Sequence, residues 1–132
     1  MTQRPMLVVT GAFGNSGTRF KVFATPGTPR TIEEKLADAA QVNALTGLAP
    51  SVALHIPWDK VDDYAALAKY ADGLGVKLGT INSNTFQDED YKLGSICNPD
   101  PRVRAKAVDA IVECCEIAAA MNAQAVKVWL GD

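Results

Sequence analysis

The stretch Val52-Ala-Leu-His-Ile56, followed by Pro57-Trp58-Asp59, decides the fold class of this chain. An apolar run with one histidine, closed by a proline, is typical of a buried strand in a parallel sheet. His55 is the single histidine of the chain. It would lie at the carboxyl end of the strand, which is the edge where parallel α/β proteins place their functional groups.

Helices and strands alternate around this stretch. Each predicted helix begins at a residue suited to cap it: Thr31 in the capping-box sequence Thr31-Ile-Glu-Glu34, Asp59, and Asp100 before Pro101. The predicted strands are residues 52–56, 76–81 and 125–130. Since strands separated by helices form parallel βαβ units, we expect an α/β fold with about three strands and three helices.

The apolar spacing within the helices predicts which side of each helix is buried. In the first helix the predicted buried side includes Val42 and Leu45, and Gly47 ends the helix. In the third helix the predicted buried residues are Val103, Ala107, Val108, Ile111, Val112, Cys115 and Ala119.

The chain divides into two predicted regions. Residues 1–30, rich in glycine and proline, are expected to be irregular, and residues 31–132 to form the N-terminal portion of a larger barrel. A last strand without a following helix would expose an apolar parallel edge, which parallel sheets seldom do. A closed barrel of eight βα units needs about 250 residues. We therefore expect a piece truncated at its C-terminus. The alternative is a small, complete, non-catalytic α/β binding domain.

Composition excludes several classes of partner. Hydrophobic residues make up 48% of the chain, charged residues 21%, and the net charge is −2. The densest basic cluster is Arg102, Arg104 and Lys106, so neither nucleic acid nor an anionic membrane is an expected partner. No apolar run approaches the roughly 18 residues of a membrane span. The three cysteines lack metal or redox spacing, and a cytoplasmic protein is expected.

The glycine-rich stretch Leu7–Gly17 resembles the phosphate-binding turn of dinucleotide-binding proteins. That turn needs a helix immediately after it, to hold the pyrophosphate at the helix N-terminus. Pro26 and Pro29 forbid a sustained helix here, and no bound dinucleotide is expected.

Three segments carry candidate chemistry. His55 beside Asp59 could pass protons near neutral pH, and Trp58 offers an apolar wall; a core histidine and a capping aspartate explain the same pattern equally well. The stretch Asn82–Gln87 is rich in amides and hydroxyls, but a plain polar loop is the simpler interpretation. Trp129 and Asp132 lie at the end of the third predicted strand, where Trp129 could equally be a core residue. The acidic cluster Asp88–Asp90 is not expected to converge on a metal ion.

Several motifs, in order, resemble the broad-specificity bacterial L-rhamnose isomerases. They are Gly14-Asn-Ser-Gly-Thr-Arg-Phe20, Pro26-Gly-Thr-Pro-Arg30, Val52–Asp59, Lys77-Leu-Gly-Thr-Ile-Asn82, Phe86–Ser95 and Lys127-Val-Trp129. The resemblance implies a (β/α)₈ TIM barrel of the xylose isomerase-like superfamily. It also implies conversion of L-rhamnose to L-rhamnulose with divalent ions such as Mn²⁺, in a homo-oligomer, a tetramer in that family.

The resemblance also assigns roles to individual residues. His55 would assist ring opening of the sugar, and Trp58, Phe86 and Trp129 would form aromatic walls of its pocket. Phe20 would reach into the pocket of a neighbouring subunit. The family's metal ligands would lie beyond Asp132, so no metal ligand is expected in this chain, and the isolated chain is expected to be inactive. The rival within enzymes is a metal-dependent phosphodiesterase on a similar barrel, which the nearly neutral charge disfavours.

Overall fold

The computed structural model describes residues 6–13, 16–18, 21–23 and 26–130, the two short segments by their backbone only. Its strands are β1 (Leu7–Val9), β2 (Ser16–Thr18), β3 (Lys21–Phe23), β4 (Ser51–Ile56), β5 (Lys77–Ser83) and β6 (Ala125–Lys127). Its helices are α1 (Ile32–Thr46), α2 (Tyr64–Gly73) and α3 (Pro101–Ala120). Short 3₁₀ helices occur at Thr10–Ala12 and Glu89–Leu93.

Four strands form one parallel sheet in the order β1-β4-β5-β6. Each strand of this sheet lies beside the strand that precedes it in the chain. When all connections run the same way across a sheet, right-handed crossovers put every connecting helix on the same face. Residues of α1, α2 and α3 accordingly share one core cluster with the strands. The α/β fold class is confirmed, and the arrangement is consistent with part of a (β/α)₈ barrel, because a doubly wound sheet would reverse direction.

The sheet has one strand more than expected. Residues 1–30 were predicted to be irregular, yet Leu7–Val9 pairs with Ser51–Ala53 of β4. This strand has only three residues before the turn at Thr10–Ala12, which is too short for an alternating pattern to identify. Further on, β2 and β3 form an antiparallel hairpin. These described strands occupy the place where a dinucleotide turn would need its helix.

The helix termini follow local capping chemistry. The capping box of α1 is confirmed: Glu34 N–H donates to Thr31 Oγ1 at 3.3 Å, and Thr31 N–H donates to Glu34 Oε2 at 3.2 Å. Gly47 ends α1 with φ 66°, a left-handed conformation that glycine adopts at little cost. The prediction that Asp59 caps α2 is wrong, because Asp63 accepts the N–H of Ala66 at 2.8 Å instead.

The predicted buried side of α3 is partly wrong. Ala107 is buried as expected, but the other buried residues are Cys114, Ile117 and Ala118, while Val108 and Val112 are each 49% exposed. In α1, Leu45 is 80% exposed. These helices are apolar over a wide arc, so the spacing of apolar residues does not determine which part of that arc meets the sheet.

The longest helix, α3, has 20 residues and carries several charged side chains. Among the described helices, none has the length and apolarity needed to cross a membrane.

The two faces of the sheet differ in chemistry. Leu54, Ile81 and Val126 pair in register and belong to the core under the helices. The opposite side, which we call the helix-free face, carries the register rows Ala53–Thr80–Ala125 and His55–Asn82–Lys127. Paired residues of parallel strands project to the same side, because the side chains alternate along each strand. Small and polar residues therefore line the helix-free face.

A β-bulge at Gly79 sets which residues of β5 reach each face. Val52 pairs with Leu78, but the next residue, Ala53, pairs with Thr80, so Gly79 is the extra residue. The bulge lets Leu78 and Ile81, three positions apart, both face the core. It thereby moves Asn82 onto the helix-free face, beside His55.

We predict that Gly79→Ala destabilises the chain by about 1–3 kcal/mol, as overpacking typically does. An added Cβ would overlap Ser51 Oγ, whereas Ser51 Cβ would lie at an ordinary 3.5 Å. The double variant Ser51→Ala/Gly79→Ala should therefore recover most of the lost stability. Urea unfolding followed by circular dichroism measures both. Equal losses in the single and double variants would show that the contact with Ser51 is not what excludes a side chain at this position.

Candidate functional site

The candidate site begins at the carboxyl end of β4. His55 is the penultimate residue of the strand, and Trp58 lies on the turn that follows. The two rings are in contact, with centroids 4.4 Å apart and planes tilted by 54°. Trp58 is 53% exposed, so one part of the indole covers the imidazole and the rest remains open to solvent or a ligand.

The buried side chain of Asp59 anchors this turn. Its side chain is 1% exposed and forms an ion pair with Lys35 of α1 at 2.8 Å. Thr10 Oγ1, in the turn after β1, donates to Asp59 Oδ2, and the backbone N–H of His55 donates to the same oxygen at 2.7 Å. One buried carboxylate thus joins β1, α1 and β4.

The expected pairing of Asp59 with the imidazole is therefore corrected in its geometry. Asp59 contacts His55 through the backbone N–H of that residue, while the imidazole ring of His55 packs on Trp58. Burial lowers the pKa of His55 below its usual value, and this effect outweighs the opposing attraction of Asp59. The imidazole is consequently neutral at pH 7, in the form that can accept a proton.

Asn82 is the register neighbour of His55 on β5. It was expected to begin a polar loop, but β5 extends to Ser83, and Asn82 is 2% exposed within the strand. Two buried polar atoms in this row, His55 Nε2 and Asn82 Oδ1, have no hydrogen-bond partner among the described residues. Buried polar atoms are nearly always paired in native proteins, so both atoms are expected to have a partner outside the described residues.

The other two predicted aromatic residues form a second pair. The rings of Phe86 and Trp129 lie 6.3 Å apart, and Trp129 is 52% exposed. Hydrogen bonds hold their segments together: Thr85 Oγ1 donates to the carbonyl of Trp129 at 2.8 Å, and Ser83 Oγ to that of Lys127 at 3.2 Å. The structure thus brings His55 to Trp58 and Phe86 to Trp129, on loops that follow neighbouring strands. Phe20 and Asp132 lie outside the described residues.

The described residues do not fit a metal site. Within them, no group of three or more histidine, cysteine, aspartate or glutamate side chains is placed to hold an ion. Asp59 is bonded to Lys35, and Asp88 and Asp90 each contact Lys106, at 2.8 and 2.6 Å. The hydrogen bond from Lys106 lowers the pKa of Asp88. These carboxylates neutralise lysines rather than converge on a cation.

A cavity of about 370 Å³ lies between the turn after β4, the loop after β5 and helix α3. Trp58, Asn84, Gln87 and Lys106 are among its lining residues, but His55, Phe86 and Trp129 are not. Its polar groups bond one another, as Asn84 Nδ2 does with Gln87 Oε1 at 3.2 Å. The candidate site is therefore the edge beside His55 rather than this cavity.

Sequence reasoning missed three residues that matter here. Thr10 and Lys35 reach Asp59 from segments 49 and 24 residues away in the chain, and no local pattern marks them. Asn82 was noticed only as part of a polar stretch. Its pairing with His55 depends on the bulge at Gly79, which apolar alternation does not reveal.

The chain is similar to proteins named as sugar isomerases, although no protein-family model matches it. It is 44% identical over 124 residues to a protein named probable sugar isomerase from Rhizobium meliloti, and 41% identical to another of that name from Mesorhizobium japonicum. Each match covers 90% of this chain and 29% of the relative. Xylose isomerase of Thermus thermophilus is 35% identical over 63 residues, covering 48% of this chain and 16% of that enzyme.

The printed names of these relatives are sugar isomerase and xylose isomerase, and they do not single out L-rhamnose isomerase. The chain spans about 29% of the length of the first two relatives.

We predict a strong energetic coupling between Lys35 and Asp59. Lys35→Met leaves a buried carboxylate without its cation and should cost about 3 kcal/mol of unfolding free energy. The double variant Lys35→Met/Asp59→Asn should lose less than the sum of the single variants, with a coupling of about 1–3 kcal/mol in a double-mutant cycle.

The ion pair between Lys60 and Glu113 is the matched control. Its side chains are 45% and 44% exposed, so solvent screening should leave a coupling of at most about 0.5 kcal/mol. Similar couplings for the two pairs would mean that Asp59 does not organise the turn as described.

Proposed function

We propose that this chain supplies the ring-opening and substrate-shaping part of a divalent-metal-dependent aldose–ketose isomerase. The expected reaction is L-rhamnose to L-rhamnulose, and the expected location is the cytoplasm. One observation carries the proposal. A neutral, half-buried imidazole at the carboxyl edge of a parallel sheet has its buried Nε2 unpaired among the described residues, beside an open indole face.

The proposed task of His55 is proton movement during ring opening. Opening a cyclic aldose breaks the bond between C1 and the ring oxygen and forms the C1 carbonyl. One proton leaves the anomeric hydroxyl and one joins the ring oxygen, so the net charge does not change. A neutral imidazole can accept the first proton at Nε2 and return it to the ring oxygen. Burial favours the neutral form that this shuttle requires.

The proposed task of the aromatic residues is to shape the sugar pocket. Trp58 and Trp129 each leave about half of the side chain exposed at the carboxyl edge, and apolar faces of sugars pack well on such rings. The resemblance to L-rhamnose isomerases further suggests Phe20 as a contribution from a neighbouring subunit, which makes a homo-oligomer part of the proposal.

The proposal places the metal ligands outside the described residues, since no group of three or more potential ligands is placed within them to hold an ion. A bound divalent ion, expected to be Mn²⁺, would polarise the sugar oxygens during isomerisation. The phosphodiesterase alternative is less well supported. Arg102 and Lys106 are bonded to nearby carboxylates and Arg104 to the carbonyl of Asn98 at 2.7 Å, so they do not offer a free phosphate-binding cluster.

We predict that His55→Asn, in a full-length protein containing this chain, lowers kcat/KM for a cyclic aldose by about 10²-fold. Protonation of the imidazole removes the base, so the wild-type rate should fall as the pH drops through a midpoint below about 6.5. The variant should lack this acidic limb. Steady-state assays from pH 4.5 to 8 measure both.

Glyceraldehyde provides the matched control, because it is too short to form a six-membered ring and needs no ring opening. His55→Asn should leave its isomerisation nearly unchanged, with bound metal per subunit also unchanged. Loss of metal in the variant, or equal losses on glyceraldehyde and the cyclic sugar, would contradict the assigned role.

We also predict that the 132-residue chain alone shows no isomerase activity. The described residues lack a convergent metal site, and the reaction as proposed needs one. Assays of the purified chain with L-rhamnose and added Mn²⁺ should match a metal-only blank. The full-length protein, assayed in parallel, is the positive control. Clear turnover by the chain alone would contradict the placement of the metal ligands elsewhere.

A further inference from the structure

We infer that Asn82 binds a hydroxyl group of the sugar directly and helps to decide which aldoses are accepted. This inference rests on the proposed function and adds to it a specificity-determining residue. The starting point is the contrast between Asn82 and the residues after it. Ser83 and Thr85 have hydrogen bonds to the backbone carbonyls of Lys127 and Trp129, whereas Asn82 Oδ1 is buried and unpaired among the described residues.

An unpaired amide oxygen in the interior is unfavourable, because the lost hydrogen bonds to water are not replaced. Asn82 is 2% exposed, and the unpaired oxygen is its own side-chain atom. A leucine of similar size at this position would avoid the penalty. The amide therefore contributes little to folding at this end, and its partner is best sought in a ligand.

The position of Asn82 identifies the chemistry of that ligand. The side chain projects from the same face as His55, on the adjacent strand, at the typical interstrand spacing of about 4.8 Å. An amide and a neutral imidazole are both uncharged hydrogen-bonding groups, which suits hydroxyls better than phosphates or carboxylates. Two such groups about 5 Å apart match a polyol, whose successive hydroxyls can reach both.

The bulge at Gly79 places Asn82 opposite His55 in the sheet. If β5 alternated regularly through Gly79, with no bulge, Asn82 would fall on the core side of β5 and Ile81 on the helix-free face. Bulges of this kind commonly redirect a side chain next to an active site. Lys127, the third residue of the row, is exposed, so Asn82 is the buried member next to His55.

Deoxy sugars test the inference. In the full-length protein, Asn82→Leu should lower kcat/KM for the preferred aldose by about 3- to 10-fold, as expected for one hydrogen bond between neutral groups. Wild-type kcat/KM should fall by a similar factor for whichever of the 3-deoxy and 4-deoxy analogues lacks the hydroxyl that Asn82 contacts. For that analogue, Asn82→Leu should cause no further loss.

Ser83→Ala is the matched control, because Ser83 is the next residue of the strand and its hydroxyl has a partner within the chain. Ser83→Ala should lower the unfolding free energy but leave unchanged the ratio of kcat/KM for the sugar to kcat/KM for its deoxy analogue. Asn82→Leu should show the opposite pattern, with stability unchanged or raised. If leucine does not fit, Asn82→Ala provides the same comparison of substrates.

Two results would overturn the inference. One is that the Leu and Ala variants still distinguish the sugar from its deoxy analogue as strongly as the wild type does. The other is that Asn82→Leu lowers the unfolding free energy as much as Ser83→Ala does and leaves kcat/KM unchanged. A wild type that isomerises no aldose would instead contradict the proposed function. Asn82 is then tested by equilibrium binding of the same sugars to wild type and Asn82→Leu, followed by the fluorescence of Trp58 and Trp129. Equal affinities would overturn the inference there too.

Discussion

The buried carboxylate of Asp59 is the interaction on which the site depends. It accepts hydrogen bonds from Thr10, from the ammonium of Lys35 and from the backbone N–H of His55. A charge in the interior is tolerated only when it is paired and hydrogen-bonded, so the position of Asp59 requires β1, α1 and β4 to meet at one point. This requirement fixes the turn that carries Trp58 over His55. It also explains why Asp59 does not cap α2: its oxygens are used in the interior, and Asp63, four residues later, begins the helix.

The same edge of the sheet contains buried polar atoms that have no hydrogen-bond partner among the described residues. Most polar atoms near the site have local partners, as in the bonds from Ser83 and Thr85 to the segment after β6. His55 Nε2 and Asn82 Oδ1 are the exceptions in their register row among the described residues. Unpaired buried atoms lower stability, and such positions are expected where binding rather than folding has determined the residue. The polar atoms that cost stability are thus adjacent, on paired residues of neighbouring strands.

Local patterns predicted the elements of this fold, and long-range contacts determined the site. The capping box at Thr31 and the Asp100-Pro101 start of α3 were predicted correctly because capping involves neighbours in the chain. The contacts of Asp59 with Thr10 and Lys35 join distant segments, which no spacing rule encodes. The exposed side of α3 could not be chosen because apolar residues surround much of that helix. His55 was predicted as a candidate from its place at a strand end, and Asn82 as part of the polar stretch Asn82–Gln87. Their pairing was not predicted, since a single extra residue at Gly79 reverses the alternation.

The order of the strands connects these local features to the kind of enzyme proposed. The strands of this parallel sheet follow one another in chain order, and the described helices pack on one face of it. In barrels built this way the site lies at the carboxyl ends of the strands. His55 and Asn82 lie on that face at the carboxyl ends of β4 and β5, and the loops after β5 and β6 add Phe86 and Trp129. Each successive strand thus contributes side chains to the same edge. The unpaired buried groups, His55 Nε2 and Asn82 Oδ1, are uncharged, and the exposed residues beside them are aromatic. This combination suits a neutral polyol, whose hydroxyls need hydrogen-bonding partners and whose carbon faces need apolar ones.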